Sequence, residues 1–289
     1  MKEAGKKIRK LLLVAGAGLM LSAAVPVSAA AEAEAPARTV AVLVNDGLAQ
    51  VADTVIVDGR IYVPAARVAG LLGAKCSWNQ GNEELSIHTA SEREIVFGNG
   101  VPVVYVDGGR FRMDAFPFVK DGRLYVPLRQ LSELLGTQLR ANEQADVFEL
   151  APLTQTAAPA AFAGLKPAEP FKESDHLLLA RIAMVEAGNE SYEGQLAVAN
   201  VILNRVKDER FPDSIRGVIY AGKQFPPAHN GLLDRSKPNA DALRAARDAL
   251  NGKNNVGQAL YFYNPDVTKG AFWSGLDVVA TIGSHRFAR

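Results

Sequence analysis

The feature that most constrains this chain is an internal repeat. Gly59-Arg60-Ile61-Tyr62-Val63-Pro64 returns as Gly122-Arg123-Leu124-Tyr125-Val126-Pro127, and Leu71-Leu72-Gly73 returns as Leu134-Leu135-Gly136 at the same spacing. Two copies of one pattern imply one small unit built twice. Each copy reads as a strand, a proline at a helix start, an amphipathic helix stopped at glycine, and a further strand. Proline suits the first helical turn because the N–H it lacks has no partner there. Val68, Leu71 and Leu72 make the apolar face of the first helix; Leu128, Leu131, Leu134 and Leu135 make that of the second. Strand-like runs fall at 40–44, 54–57, 84–88, 95–97, 103–106 and 147–150, punctuated by Asp58-Gly59, Asp107-Gly108 and Asp121-Gly122. Residues 40–150 are therefore expected to form a duplicated α+β domain.

Outside this unit the composition changes twice. Residues 1–31 read as a signal peptide: Lys2, Lys6, Lys7, Arg9 and Lys10 precede an apolar run from Leu11 to Ala24, and Val27-Ser28-Ala29 is a cleavage-type tripeptide. That run is too short for a comfortable membrane span. Glu32 to Arg38 is an Ala/Glu/Pro spacer. No second long apolar run follows, so no stable span is expected after signal removal, and the mature chain is placed outside the cytoplasmic membrane, secreted or in the cell envelope. Residues 151–172, rich in Ala, Pro, Thr and Gly, read as a semi-stiff linker. The 289 residues leave room for about two domains. A net charge of +1 gives no reason to expect a nucleic-acid partner. Four scattered histidines and one cysteine, with no HExxH or CxxC spacing, give no reason to expect a metal or another cofactor. Cys76 is expected as a small buried apolar group. The oligomeric state is open.

Residues 173–289 open on two helices that meet at a polar corner. Leu178, Ile182 and Val185 recur at helical spacing, with Ser174 or Asp175 as the cap and Gly188-Asn189 as a left-handed stop. The second helix is expected from about Gly194 to Val206. Ser214 caps a short helix from Ile215 to Tyr220, and Asn239 caps another from Ala240 to Leu250, stopped at Gly252. Between them, 223–238 is a polar, irregular loop. Strands are expected over 259–263 and 281–287. Glu186 sits in the last turn of the first helix, where the dipole disfavours a negative charge. Met184, Val185 and Ala187 surround it in sequence. Both effects raise a carboxyl pKa, which suits a general acid at neutral pH. The plain alternative is a surface glutamate at a helix end.

Several motifs, in order, resemble the catalytic domain of cell wall hydrolases typified by spore-cortex-lytic enzymes. They are Glu186-Ala187 with Glu190, Tyr192-Glu193-Gly194-Gln195, Ala197-Val198-Ala199, Asn204-Arg205, Phe211-Pro212, Gly217 to Tyr220, Gln224-Phe225, Tyr261 to Pro265, and Ile282-Gly283-Ser284-His285 with Phe287. The resemblance spans about 115 residues. It implies a mainly helical, lysozyme-like fold with a few strands, no cofactor, and peptidoglycan glycan strands as the partner, with spore cortex one setting. It assigns catalysis to Glu186. The family carries Arg-Gly where this chain has Gly188-Asn189. Separately, the duplicated α+β unit resembles the domain named after the N-terminus of copper amine oxidases. No His, Cys and Met cluster accompanies it, and Tyr62, Trp78, Tyr105, Phe111 and Tyr125 are expected to pack rather than to stack on sugars.

Glycoside cleavage needs a proton on the leaving oxygen and stabilisation of a cationic transition state. With Glu186 alone, the carboxylate returns as a base toward the muramoyl C6 hydroxyl, which is lytic transglycosylation. With a second carboxylate, from Glu190, Glu193 or Asp234, water attacks instead. Glu190, Gln224, Phe225, Tyr263 and Asn264 are the candidate substrate contacts, with Phe225 and Trp273 as a sugar-stacking wall. The bland readings beside these are a surface amide for Gln224, a satisfied turn for Asn264, and core packing for Tyr263 and Trp273. Asn200 and Asn204 are expected to tie the second helix to the Glu186 corner, Arg205 to pair with Glu190 or Glu193, and His285 to be structural. Two other readings stay open: a catalytically degenerate wall-binding module, and an amidase or peptidase acting on stem peptides.

Overall fold

The computed structural model describes residues 41–44, 49–51, 53–142, 147–152, 165–222 and 224–289. The expected signal peptide, the Glu32–Arg38 spacer and residues 153–164 of the expected linker lie outside them. The fold mixes α and β structure, and the chain from Arg38 to Arg289 forms one compact unit.

The first half contains β1 (Ala41–Val44), β2 (Ala49–Val51), β3 (Val55–Val57), β4 (Arg60–Pro64), α1 (Ala65–Leu71), β5 (Lys75–Asn79), β6 (Glu84–His88), β7 (Glu94–Gly98), β8 (Val103–Val106), β9 (Gly109–Arg112), β10 (Phe118–Lys120), β11 (Arg123–Pro127), α2 (Leu128–Leu134), β12 (Thr137–Asn142) and β13 (Val147–Pro152). The two copies of the repeat pair with each other. Strands β4 and β11 run antiparallel with Val63 opposite Val126, Tyr62 opposite Pro127 and Pro64 opposite Tyr125. Val63 thus faces its own counterpart, and a local two-fold axis passes between them. Each proline stands at the cap of the following helix, α1 or α2. Gly73 and Gly136 stop those helices in the left-handed region, at φ of 81° and 67°. Val63, Val68, Val126, Leu131 and Leu134 are fully buried in one core. Tyr62 and Tyr125 join Phe118 in a smaller aromatic cluster, as core packing requires. Cys76 departs from expectation: it is exposed on β5, an edge strand whose five residues are all exposed. The strand β14 (Lys166–Pro167), near the end of the expected linker, pairs with β9.

The second half runs α3 (Glu173–Ala187), α4 (Tyr192–Val206), α5 (Ile215–Tyr220), a 3-10 turn (Pro226–Ala228), α6 (Leu232–Arg235), α7 (Ala240–Leu250), β15 (Tyr261–Tyr263), α8 (Ala271–Ser274), β16 (Val278–Ile282) and β17 (His285–Ala288). Ser214 and Asn239 cap α5 and α7 by accepting from Gly217 N and Ala242 N. Three expectations are corrected. No side chain caps α3, which starts at Glu173 and keeps both Glu173 and Asp175 in its first turn, where the dipole favours them. Gly188 ends α3 with ordinary right-handed angles, φ −65°, so the stop is not a left-handed one. The expected closing strand is a hairpin, because Gly283-Ser284 is a two-residue turn between β16 and β17.

The two halves meet along α7. Arg244 donates to Gly81 O at 2.8 Å and pairs with Glu83 at 3.0 Å; Arg247 pairs with Glu84 at 2.8 Å. Asn251 donates to the Tyr105 hydroxyl at 2.9 Å and accepts from Arg110. Behind this row, Asp248 accepts from the Tyr192 hydroxyl at 2.7 Å, and the Arg244 guanidinium lies 3.9 Å from the Tyr192 ring centre. Burial, followed by the Asp248 charge, pushes the Tyr192 phenol far up. Only 9% of the Arg244 side chain and 4% of the Asp248 side chain are exposed. Removing one partner of such a buried pair typically costs about 3–5 kcal/mol. Arg244→Met is expected to lose that much in urea unfolding of the full chain, and the more exposed Arg247→Met clearly less.

Candidate active site

The site is built on the corner between α3 and α4. Leu179, Ile182 and Ala183 bury one side of α3, and Ala187 closes it. Glu186 stands in the last turn, half-buried. No hydrogen bond or ion pair reaches its carboxylate among the described residues. Burial raises its pKa, and burial is the dominant cause. The result is a carboxyl with a desolvated, unpartnered acid group beside a polar corner.

Glu190, four residues on, has the opposite surroundings. Its carboxylate accepts from Ser284 N at 3.1 Å and from the Ser284 hydroxyl, and His285 Nδ1 lies 3.4 Å away. The Ser284 hydrogen bonds hold its pKa below the usual carboxylate value. Its carbonyl accepts from the buried Gln195 Nε2 at 3.1 Å. Glu190 is thus a latch between the α3–α4 corner and the β16–β17 turn. The turn is shaped for it: a Cβ at Gly283 would fall 1.7 Å from Glu190 Oε2, and Gly283 has φ 57°. Sequence reasoning missed this latch. The signal was present, since Gly-Ser between two apolar runs is a hairpin pair.

The other expected residues scatter. Gln224 is exposed and accepts from Arg205 Nη1 at 2.6 Å. Phe225 is only 2% exposed and packs against Phe262, so it is core and forms no surface wall. Tyr263 is buried and donates its hydroxyl to Trp273 O at 3.3 Å. Asn264 closes a turn by accepting from Asp266 N at 2.9 Å. Arg205 pairs with neither Glu190 nor Glu193; it is buried, donates to Leu260 O at 2.7 Å and lies against the rings of Phe211, Phe225 and Tyr261. Asn200 and Asn204 reach Asn255, Gly257 and Ala259, not the Glu186 corner. Glu193 accepts from Asn255 Nδ2 at 2.8 Å, and Asp234 is exposed on α6. Among the described residues no three His, Cys, Asp or Glu side chains cluster as a metal site would require.

Comparison with known proteins bears on both halves. The family model "Cell Wall Hydrolase" matches residues 189–288, and "Copper amine oxidase N-terminal domain" matches residues 44–150. Both resemblances read from the sequence are therefore met. A spore cortex-lytic enzyme of Oceanobacillus iheyensis is 40% identical over 120 residues, which is 41% of this chain and 43% of that protein. The cell wall hydrolase CwlJ of Bacillus subtilis is 31% identical over 117 residues, 38% of this chain and 81% of that protein. Among solved structures, the catalytic domain of the germination-specific lytic transglycosylase SleB from Bacillus anthracis is 34% identical, with 42% of this chain and 99% of that one covered, at a TM-score of 0.40. The chain spans less than half the length of the spore cortex-lytic enzyme it matches.

The latch can be tested at both ends. Gly283→Ala is expected to cost at least about 1–2 kcal/mol in urea unfolding, the price of left-handed angles for a residue with a Cβ. Glu190 has a depressed folded pKa, so the stability it contributes is full above its unfolded pKa and is lost as pH falls through the folded value. The stability gap between the natural chain and Glu190→Gln should therefore be widest near neutral pH and close in acid, as thermal unfolding across pH will read.

Proposed function

The chain belongs to the cell wall hydrolase family, and on that premise we propose that it is an exported enzyme that cuts the muramoyl–glucosaminyl bonds of peptidoglycan glycan strands, with Glu186 as proton donor. The observation that carries the reading is the state of Glu186: desolvated, without a charged or hydrogen-bonding partner among the described residues, and raised in pKa. Such a carboxyl keeps its proton closer to neutral pH and can pass it to the glycosidic oxygen as the bond to C1 breaks.

The second half of the reaction follows from what the neighbouring carboxylates are doing. Glu190 is held by Ser284 and His285, and Glu193 by Asn255. With both engaged, Glu186 itself, now ionised, takes the proton of the muramoyl C6 hydroxyl. The C6 oxygen closes onto C1, a 1,6-anhydro sugar leaves, and the carboxyl is restored without consuming water. A water-attacking glycosidase is the second reading, and it needs Glu190 released from its latch or Asp234 brought in from α6.

The remaining parts of the proposal concern the whole chain. Residues 1–31 direct export, 40–150 form the duplicated α+β domain, 151–172 link it, and 173–289 are the lysozyme-like catalytic domain. The site of action is the cell envelope. Spore cortex is proposed as the substrate, by likeness to relatives named for lysing it. No cofactor is required for this chemistry. A degenerate wall-binding module is the alternative from another class, motivated by Gly188-Asn189 standing where the family carries Arg-Gly.

Digestion of purified cortex and vegetative peptidoglycan, with the soluble fragments identified by mass spectrometry, tests the reading. Anhydro-muramoyl ends are expected, and Glu186→Gln should reduce their release by about 10²–10⁴-fold or more. Reducing ends would point to hydrolysis instead, and no release by the folded natural chain would favour the binding module. Stability supplies a second check. A raised folded pKa means that the folded chain binds the proton more tightly, so stability falls as pH rises from the unfolded toward the folded pKa. Glu186→Gln, which carries no charge, should be more stable than the natural chain at neutral pH and lose that advantage near pH 4.

A further inference from the structure

The C-terminal sheet sorts its side chains onto two faces. Its strand order is β15-β17-β16. Phe262, Phe287 and Ala280 stand opposite one another in one row and pack toward the core. Alternation along each strand turns the neighbouring rows outward. Those rows are Tyr263, Arg286 and Thr281, and Tyr261, Ala288 and Val278; Tyr263 and Ala288 are buried on that side, whereas Arg286, Thr281 and Val278 are exposed.

The excursion between β15 and β16 lays α8 on that outer side. Phe272 meets Tyr261 edge-on at 5.5 Å, and Trp273 is tilted against Tyr263 at 5.1 Å. Phe272 and Trp273 meet edge-on at 5.1 Å. The excursion is tied at both ends. Thr268 N donates to Asn264 O at 2.9 Å, and Lys269 Nζ donates to Pro265 O at 2.6 Å. Asp277 and Arg289 exchange backbone hydrogen bonds and an ion pair at 2.7 Å. A fixed aromatic group results, yet its outermost ring is left in water. Phe272 is 57% exposed, with Val278 and Val279 exposed nearby and Arg286 exposed in the adjoining row.

We propose that this outer face is a subsite for the glycan strand, remote from the bond that is cut. The proposal rests on the glycan-cleaving reading of the corner. A sugar ring presents a face of C–H bonds that suits the electron-rich face of an aromatic ring, and Phe272 is a ring more than half open to solvent. Arg286 stands where it can pair with a carboxylate on a muramoyl peptide stem. The sheet sets the separation. The turn that latches Glu190 is at one end of β16, and Val278 is at the other, four steps or at most about 13 Å away at about 3.3 Å per residue, with a β-bulge between Val278 and Ala280. A strand reaching both the corner and the platform has more than one sugar between them, so the platform selects for polymer over short fragments.

The test uses the full chain in the Glu186→Gln background, which holds the wall uncut. Sedimentation with insoluble peptidoglycan should show Phe272→Ala and Arg286→Gln each binding at least about fivefold more weakly, with Phe272→Tyr retaining binding. Thermal unfolding should shift only modestly for Phe272→Ala, which gives up ring contacts with Tyr261 and Trp273, and should stay unchanged for Arg286→Gln and Phe272→Tyr. In the active chain, Phe272→Ala should raise KM for long glycan strands more than it lowers kcat. Equal binding by Phe272→Ala would overturn the subsite. So would a loss of self-association in light scattering with wall binding intact, which would assign the face to a second copy. If the natural chain cuts no glycan but Phe272→Ala still weakens binding, the subsite stands and the catalytic reading fails.

Discussion

The C-terminal domain is arranged around one helix that has almost no surface of its own. Every residue of α4 from Gly194 to Ile202 is buried. A helix apolar on all sides has to be covered on all sides. Helices α3, α5 and α7 and strands β15 and β16 provide that cover. The few polar groups on α4 then determine where the loops go, because a buried polar atom must find a partner. Gln195 holds the carbonyl of Glu190, Asn200 meets Asn255, and Arg205 takes the carbonyl of Leu260. Each bond pulls one irregular segment onto the helix. The corner beside Glu186 is one of those segments, so its shape is inherited from the core.

Two glutamates four residues apart show how environment divides roles. Glu186 is on the helix, desolvated and unpartnered among the described residues; Glu190 is past the helix end, with donors around its carboxylate. Burial favours the neutral form of the first, and hydrogen bonds favour the charged form of the second. A site that must supply a proton while a nearby carboxylate stays ionised needs its pKa values separated in this way. The same latch that lowers the Glu190 pKa also fixes the β16–β17 turn, so the electrostatics of the corner and the placement of the outer sheet face share one cause.

The N-terminal repeat solves its own problem first. One copy of the strand–helix–strand unit offers a strand edge with unpaired backbone groups; pairing β4 with β11 across a local two-fold axis closes both edges at once. What remains for contact with the second half is a polar surface, and α7 meets it with arginines and an asparagine. The connection passes through Asp248 to Tyr192, the first residue of α4. The duplicated unit thus bears on the helix that follows the Glu186 corner, by way of bonds that the second half alone would lack.

Local chemistry made much of this legible from the sequence. The repeat, its prolines at helix starts, the caps at Ser214 and Asn239, and the position of Glu186 at a helix end all follow from neighbours within a few residues. Burial of Glu186 could be anticipated because Met184, Val185 and Ala187 adjoin it. The failures share a different character. Phe225 was expected at the surface and lies in the core; Arg205 was expected beside a glutamate and holds a carbonyl; Glu190 binds a turn 94 residues away. Phe272 drew no notice, although it carries the most exposed aromatic ring of the C-terminal sheet's outer face. Which side of a sheet a residue faces, and which distant loop supplies a partner, depend on how strands register and how helices stack. One sequence therefore determined the elements, the duplication and the place of Glu186 at a helix end. Only the tertiary structure decided the latch, the buried arginine and the outer aromatic platform, because those arise from contacts between segments that sequence spacing does not connect.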